Sequence, residues 1–178
     1  MIYVEWSEEP VDAGVLYSVL EKHQLLPKSL ENLQNCLIMA SMTSIGFLHD
    51  GGNNPLAILL ETRPEPGVIG ILFITGVARL NNRRDELISA SIPLRERWFG
   101  SGAYRVESRI PVERTQTIRC LKHLGFKLET AMPMGLRNAV VYNDKLTSLC
   151  IMSLLPDDPV KQLSNESHGP MLEKGKIS

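Results

Sequence analysis

The sequence has no surplus of either charge: Lys and Arg number 19, Asp and Glu 20, for a formal net charge of −1. Without a basic excess to displace phosphate counterions, nucleic acid is not an expected partner. Cysteine is scarce, with Cys36, Cys120 and Cys150 far apart and no Cys-x-x-Cys pair. That spacing excludes a zinc ribbon and a thiol–disulfide motif. The three read as reduced, small apolar residues, in keeping with a cytoplasmic setting. His23, His49, His123 and His168 lack metal-ligand spacing, so no metal is expected. The opening MIYVEWSEEPVD is acidic and has no basic region leading into an apolar run, so it does not read as a signal peptide. No apolar run approaches the ~20 residues of a membrane span, and no internal repeat is visible.

What is present is an ordinary globular composition. The chain has 178 residues, 43% hydrophobic and 22% charged, enough for one domain with a real core. IYVEW alternates weakly, as a first strand would. In SEEPVDAGVLYSVLEKHQLLP, Ser7 or Asp12 can cap a helix and Pro10 suits its first turn. Val11, Val15, Leu16, Val19 and Leu20 then recur at helical spacing. KSLENLQNCLIMASM reads as a second, shorter helix from about Ser29. TSIGFLHDGGNNPLAILLETR is the clearest hairpin, two strands around Gly-Gly-Asn-Asn. RPEPG reads as a stiff connection, and VIGILFITGV as a strand buried on both faces.

NNRRDELISASIPLRERWF reads as a helix capped by Asn81 or Asn82, with Pro93 expected to kink or split it. After the breaker GSG, AYRVESRIPV alternates as a strand. ERTQTIRCLKHL is a helix with Ile118, Leu121 and Leu124 on one face, and Gly125 is its expected left-handed stop. FKLETAMPMGLRNAV and KLTSLCIMSLL are the expected last two strands. From Pro156 the chain is polar, which divides it into a domain at 1–155 and a C-terminal tail at 156–178. The order β-α-α-β-β-β-α-β-α-β-β implies an α/β (α+β) single domain, a mixed sheet flanked by helices. The basic clusters Arg79, Arg83, Arg84 and Arg114, Arg119, Lys122 read as solvated faces. Met132 and Met134 read as part of a packed loop.

This order, and above all the helix running into Leu124-Gly125-Phe126, resembles the GCN5-related N-acetyltransferase (GNAT) superfamily. The likeness is sharpest from about Asn81 to Asp157. Its nearest variant resembles the ribosomal-protein N-terminal acetyltransferases, whose pattern is echoed by Arg114, Thr117, Arg119, Lys122, His123, Leu124, Gly125, Phe126 and Glu129. The closing LTSLCIMSLLPDD is similar to that family's last strand. Comparable sequences occur in bacteriophages, some joined to virion components. The resemblance implies acetyl-CoA as cofactor, with contacts at Thr75, Val77, Arg79, Arg83, Arg84, Arg114 and Thr117.

The departures from the family pattern bear on chemistry. GNAT enzymes seat the diphosphate on a turn of the form Arg/Gln-x-x-Gly-x-Gly/Ala, where glycines let backbone amides approach. Here ARLNNRRDELISAS supplies arginines but no glycine, and it adds Asp85 and Glu86. The central strand offers Thr75 where the family often has a glutamate base. Leu121 stands near the place of the tyrosine acid, and Ser148 and Met152 near the places of the last-strand Asp and Tyr. Catalytic residues are therefore not assigned; Glu61, Glu107, Tyr104 and His123 are the candidate substitutes. Two readings stand: an acyl-CoA-dependent N-acetyltransferase with a degenerate phosphate loop, or a non-catalytic relative of the kind found as a phage virion or assembly component. The second would act through protein–protein contacts or homo-oligomerisation by the tail, in host cytoplasm or virion.

Overall fold

The computed structural model describes residues 1–7, 13–22, 44–52, 55–75, 77–80, 82–129, 136–142 and 145–159. Within them the strands are β1 (Tyr3–Trp6), β2 (Ser44–His49), β3 (Ala57–Glu65), β4 (Val68–Thr75), β5 (Arg105–Pro111), β6 (Lys127–Leu128), β7 (Leu136–Tyr142) and β8 (Lys145–Leu154). The helices are α1 (Ala13–Lys22), a 3₁₀ turn (Val77–Leu80), α2 (Arg84–Gly100) and α3 (Thr115–His123). The expected second helix from Ser29, the candidate cap Asp12 with Pro10, and the methionine loop lie outside the described residues.

One sheet holds all eight strands, in the order β1-β2-β3-β4-β5-β8-β6, with β7 also paired to β8. Its left half is an antiparallel meander, β1 to β4. β4 and β5 are parallel, at Val68↔Arg105, Ile69↔Val106 and Gly70↔Glu107. The crossover between them is α2, as two buried strands flanking a helix require. β8 returns antiparallel along β5. The expected mixed α/β domain is therefore what the chain adopts.

Strand alternation sets a well-defined core on the face covered by α2 and α3. Leu59, Ile69, Ile71, Val106, Ile110, Cys150, Met152 and Leu154 from the strands meet Leu87, Leu94, Trp98, Leu121 and Leu124 from the helices. Phe126 meets the Trp98 ring edge-on, with centroids 6.0 Å apart. Each such large side chain taken wholly out of water contributes about 1.5–3 kcal/mol.

The structure corrects the sequence reading at four places. The helix N-cap is Arg83, with no side-chain cap bond, in place of Asn81 or Asn82. α2 is not split at Pro93: it runs as one helix from Arg84 to Gly100. Pro93 is exposed, so the backbone bond it forfeits lies on the solvent side, away from the packed face. β3 continues through Arg63-Pro64-Glu65, so the stiff connection shrinks to a turn at Pro66-Gly67, where Gly67 has φ +76°. The long penultimate strand is two strands along one edge of β8. β6 pairs at Lys127↔Ser153 and Leu128↔Met152, and β7 rejoins at Leu136↔Leu149. The step from Glu129 to Leu136 thus spans only Ile151 to Leu149 on the partner strand.

Candidate functional site

The β4–β5 ladder ends after Gly70↔Glu107, although both strands continue. Just beyond it, the Ser108 hydroxyl donates to the Ile71 carbonyl at 2.6 Å. A side chain there takes the place of a backbone bond, and the outer half of β4 has no ladder partner on that side. On its other side β4 carries an extra residue, since Ile58 faces Thr75 while the next residue, Leu59, faces Phe73. A bulge of this kind re-aims backbone groups. Bulge and lost pairing together mark a break, the β4–β5 slot, at the C-terminal end of a parallel pair.

The 3₁₀ turn and α2 follow β4 in the chain, and α3 packs against both. The structure therefore brings together the segments that hold Thr75, Val77, Arg79, Arg83, Arg84, Arg114 and Thr117. Thr75 ends β4 and Val77 begins the 3₁₀ turn. Arg79 donates to the Pro55 carbonyl at 3.2 Å. Arg84 is exposed in the first turn of α2. Arg114 is the N-cap of α3, and Thr117 is buried within it.

Arg83 is the informative member. Its Nε and Nη2 donate to the two oxygens of Glu86, each at 2.8 Å, and its Nη1 donates to Asp50 Oδ2 at 2.6 Å. All three nitrogens are thus occupied by carboxylates. The N-terminal ammonium of Met1 adds a further contact to Glu86 at 3.1 Å. Asp50 is delivered by the turn of the β2–β3 hairpin, where it also accepts from the Gly52 amide at 3.1 Å. The Arg83 guanidinium holds both the Asp50 and the Glu86 carboxyl below their usual range, and the two carboxylates in turn raise Arg83 further. Of the nearby amides, that of Arg83 itself is bound to the Leu80 carbonyl at 3.1 Å.

This helix end is a poor seat for a diphosphate, which would compete with two carboxylates for Arg83, lie beside Asp85 and Glu86, and meet side chains at Asn82 and Arg84 where glycines would let it come close. The helix dipole favours an anion there, but Asp85 and Glu86 in the first turn already supply that charge.

The four candidate catalytic substitutes lie on different elements, and only Glu107 stands at the β4–β5 break. Glu61 is buried on β3, held by Arg63 Nη2 at 3.2 Å and Arg97 Nε at 3.4 Å. Glu107 lies on β5 between Arg105, at 3.1 Å, and Arg109, at 3.0 Å. A carboxylate whose two oxygens each accept from a guanidinium is poorly placed to take a proton from a substrate. Tyr104 is exposed, and a Cβ on Gly67 would come within 2.5 Å of its ring, so the tyrosine covers that turn. His123 is half-buried in the last turn of α3. Leu121 and Met152 are fully buried in the core.

Asp50, as the second partner of Arg83, was not legible in the sequence, because the contact joins residues on separate elements. The Arg83–Glu86 pair has a local signal, since charges three apart at a helix start can meet, but the sequence reading took Arg83 as a phosphate contact instead. Among the described residues, no group of three or more His, Cys, Asp or Glu could hold a metal ion, and no helix is long and apolar enough to cross a membrane.

The architecture is that of the GNAT acetyltransferases. A dodecameric spermidine N-acetyltransferase from Vibrio cholerae superposes with a TM-score of 0.56 at 14% identity, over 87% of this chain and 94% of that one. A probable GNAT-family acetyltransferase from Chromobacterium violaceum superposes with a TM-score of 0.60 at 19% identity, over 88% and 84% of the two chains. No protein-family model matches the sequence, and no curated protein does.

Proposed function

We propose that this chain is a catalytically inactive protein of the GNAT fold that works by binding other proteins, of the kind found as a phage virion or assembly component. The observation that carries this reading is the engagement of all three Arg83 nitrogens by Glu86 and Asp50. The arginine best placed to receive a diphosphate is occupied by the chain's own carboxylates. The arrangement of Glu61 and Glu107 supports it, since each is bracketed by two arginines.

One observation favours the other reading, an acyl-CoA-dependent N-acyltransferase. The β4–β5 ladder ends at Gly70 and Glu107, so outer β4 lacks a ladder partner on that side, as an extended amide-bearing chain such as the pantetheine arm of acetyl-CoA would require. That break belongs to the fold and would persist in a relative that had lost its ligand. The closed ion-pair network would not be expected in one that had kept it.

Contacts are proposed through the tail. Its composition is polar, and a polar segment offsets its ordering entropy, roughly 1–2 kcal/mol per residue of backbone, most readily against a partner. The chain enters the tail from a fixed point: Arg95 Nη2 donates to the carbonyls of Pro156, at 2.9 Å, and Asp158, at 2.7 Å, and Lys127 pairs with Asp158. The test is a chain ending at Pro159, compared with the full chain by thermal melting and by light scattering. The expected result is an unchanged melting temperature with loss of assembly. A shortened chain that assembles as the full one does rejects the tail as the contact.

A further inference from the structure

Arg97 lies about 20 Å along α2 from Arg83, on a different part of the surface from the slot. Its guanidinium lies over the Trp6 ring, 3.9 Å from the centroid. The indole in turn lies flat across β2 at Gly46, where a Cβ would come within 3.1 Å of the ring. Arg97 is therefore stacked against a ring that is itself backed by main chain. Beneath it is Glu61, 3% exposed, whose Oε2 accepts from Arg97 Nε at 3.4 Å. The other oxygen of Glu61 accepts from Arg63 Nη2 at 3.2 Å, and Arg63 Nη2 also reaches Ser101 Oγ at 3.4 Å.

The result is two guanidinium groups converging on one buried carboxylate. Their side chains remain 38% and 47% exposed. Among the described residues, the two Nη groups of Arg97 and the Nε and Nη1 of Arg63 have no hydrogen-bond partner. Exposed arginines ordinarily lose much side-chain entropy on binding. Here Trp6 and Glu61 have already fixed Arg97. Within this cluster of described residues, one carboxylate faces two guanidinium groups, a surplus of one positive charge beside an aromatic ring.

We infer that Arg63 and Arg97, held by Glu61 and Trp6, form a docking point for a single carboxylate side chain on a partner protein. The charge favours a carboxylate over a polyphosphate: the surplus within the cluster is one, and the whole chain, at −1, has no basic field to gather nucleic acid. A planar guanidinium edge also matches a carboxylate bidentately. The inference does not depend on whether the slot at the far end of α2 holds a ligand.

The experiment titrates the full chain with a blocked tetraglutamate peptide and follows the Nε–H signals of Arg63 and Arg97 and the indole N–H of Trp6 by nitrogen–proton NMR. Blocked tetraglutamine and inorganic phosphate serve as controls. Saturable shifts confined to these three signals, with tetraglutamate alone, are expected. Arg97→Gln should weaken the binding at least about tenfold, the size of one charged hydrogen bond. Glu61→Gln separates a positioned pair from simple attraction. It raises the positive charge of the cluster, so attraction alone predicts tighter binding, whereas loss of the anchor predicts weaker binding. The inference is overturned if tetraglutamate leaves the wild-type signals unmoved, if phosphate shifts them as strongly, or if Glu61→Gln binds more tightly. The wild-type spectra decide the first two points even if a variant fails to fold.

Discussion

The Phe126 amide donates to the Leu121 carbonyl at 3.0 Å, across the end of α3. The Gly125 amide donates to the Lys122 carbonyl at 3.3 Å, and Gly125 has φ +97°. This pair of crossed bonds is a Schellman motif, with Leu121 and Phe126 both buried as its apolar contact. It explains the abrupt end of the helix: the left-handed residue turns the chain back so that Phe126 enters the core and β6 begins. Gly125→Ala should cost about 1–2 kcal/mol through the conformation alone, because the nearest atom to a new Cβ, on Leu154, is 3.4 Å away and leaves room. Gly125→Asn should cost less. Urea unfolding measures both, and equal stability of the alanine variant and the wild type would show that the turn is not strained.

Acid should destabilise the fold from a defined point downward. Arg83 holds Asp50 and Glu86 below their ordinary values of 3.8 and 4.5, and Arg105 does the same for Glu129. At Asp158 burial pushes the carboxyl up, but Lys127 and the Leu155 amide outweigh it and the net shift is down. Carboxyls depressed in the folded state contribute stability that is complete above their ordinary values and is lost as pH falls through the depressed ones. Tm should therefore hold from neutrality to the ordinary carboxylate range and fall below it. Asp158→Asn should start lower and fall less steeply. A Tm that rises on acidification below that range would contradict the assignment of these pairs.

The described thiols should be inert. Burial pushes Cys120 up to about 11 and raises Cys150 as well. Thiolate is the reactive form, so iodoacetamide at pH 8 should leave both unlabelled in the folded protein and label them in urea. Peptide mass mapping reads this directly, and fast labelling of Cys120 in the native state would show that α3 opens.

Period and punctuation made most of the fold legible. The hairpin around Gly51-Gly52, the apolar run of β4 and the Gly125 stop are local signals, and each element formed where its pattern stood. The errors arose where a local rule met the third dimension. Pro93 breaks a helix only if the bond it forfeits matters to packing, and it sits on the exposed side. Arg63-Pro64-Glu65 reads as a connection, but its pairing partner Val68 is supplied from across the turn. The candidate site was legible as a set of segments and not as contacts. Arg83 and Glu86 announce themselves by spacing, whereas Asp50 and the layered Gly46, Trp6, Arg97 and Glu61 come together only when strands from distant parts of the chain align.

The central claim is that the start of α2 is closed to a diphosphate because its arginine is already engaged. Calorimetric titration of the full chain with acetyl-CoA at millimolar concentration tests it most directly. The account predicts no saturable heat from the wild type. Saturable one-site binding that disappears in Arg83→Ala would contradict it, and would show instead that the ligand draws Arg83 away from Glu86 and Asp50.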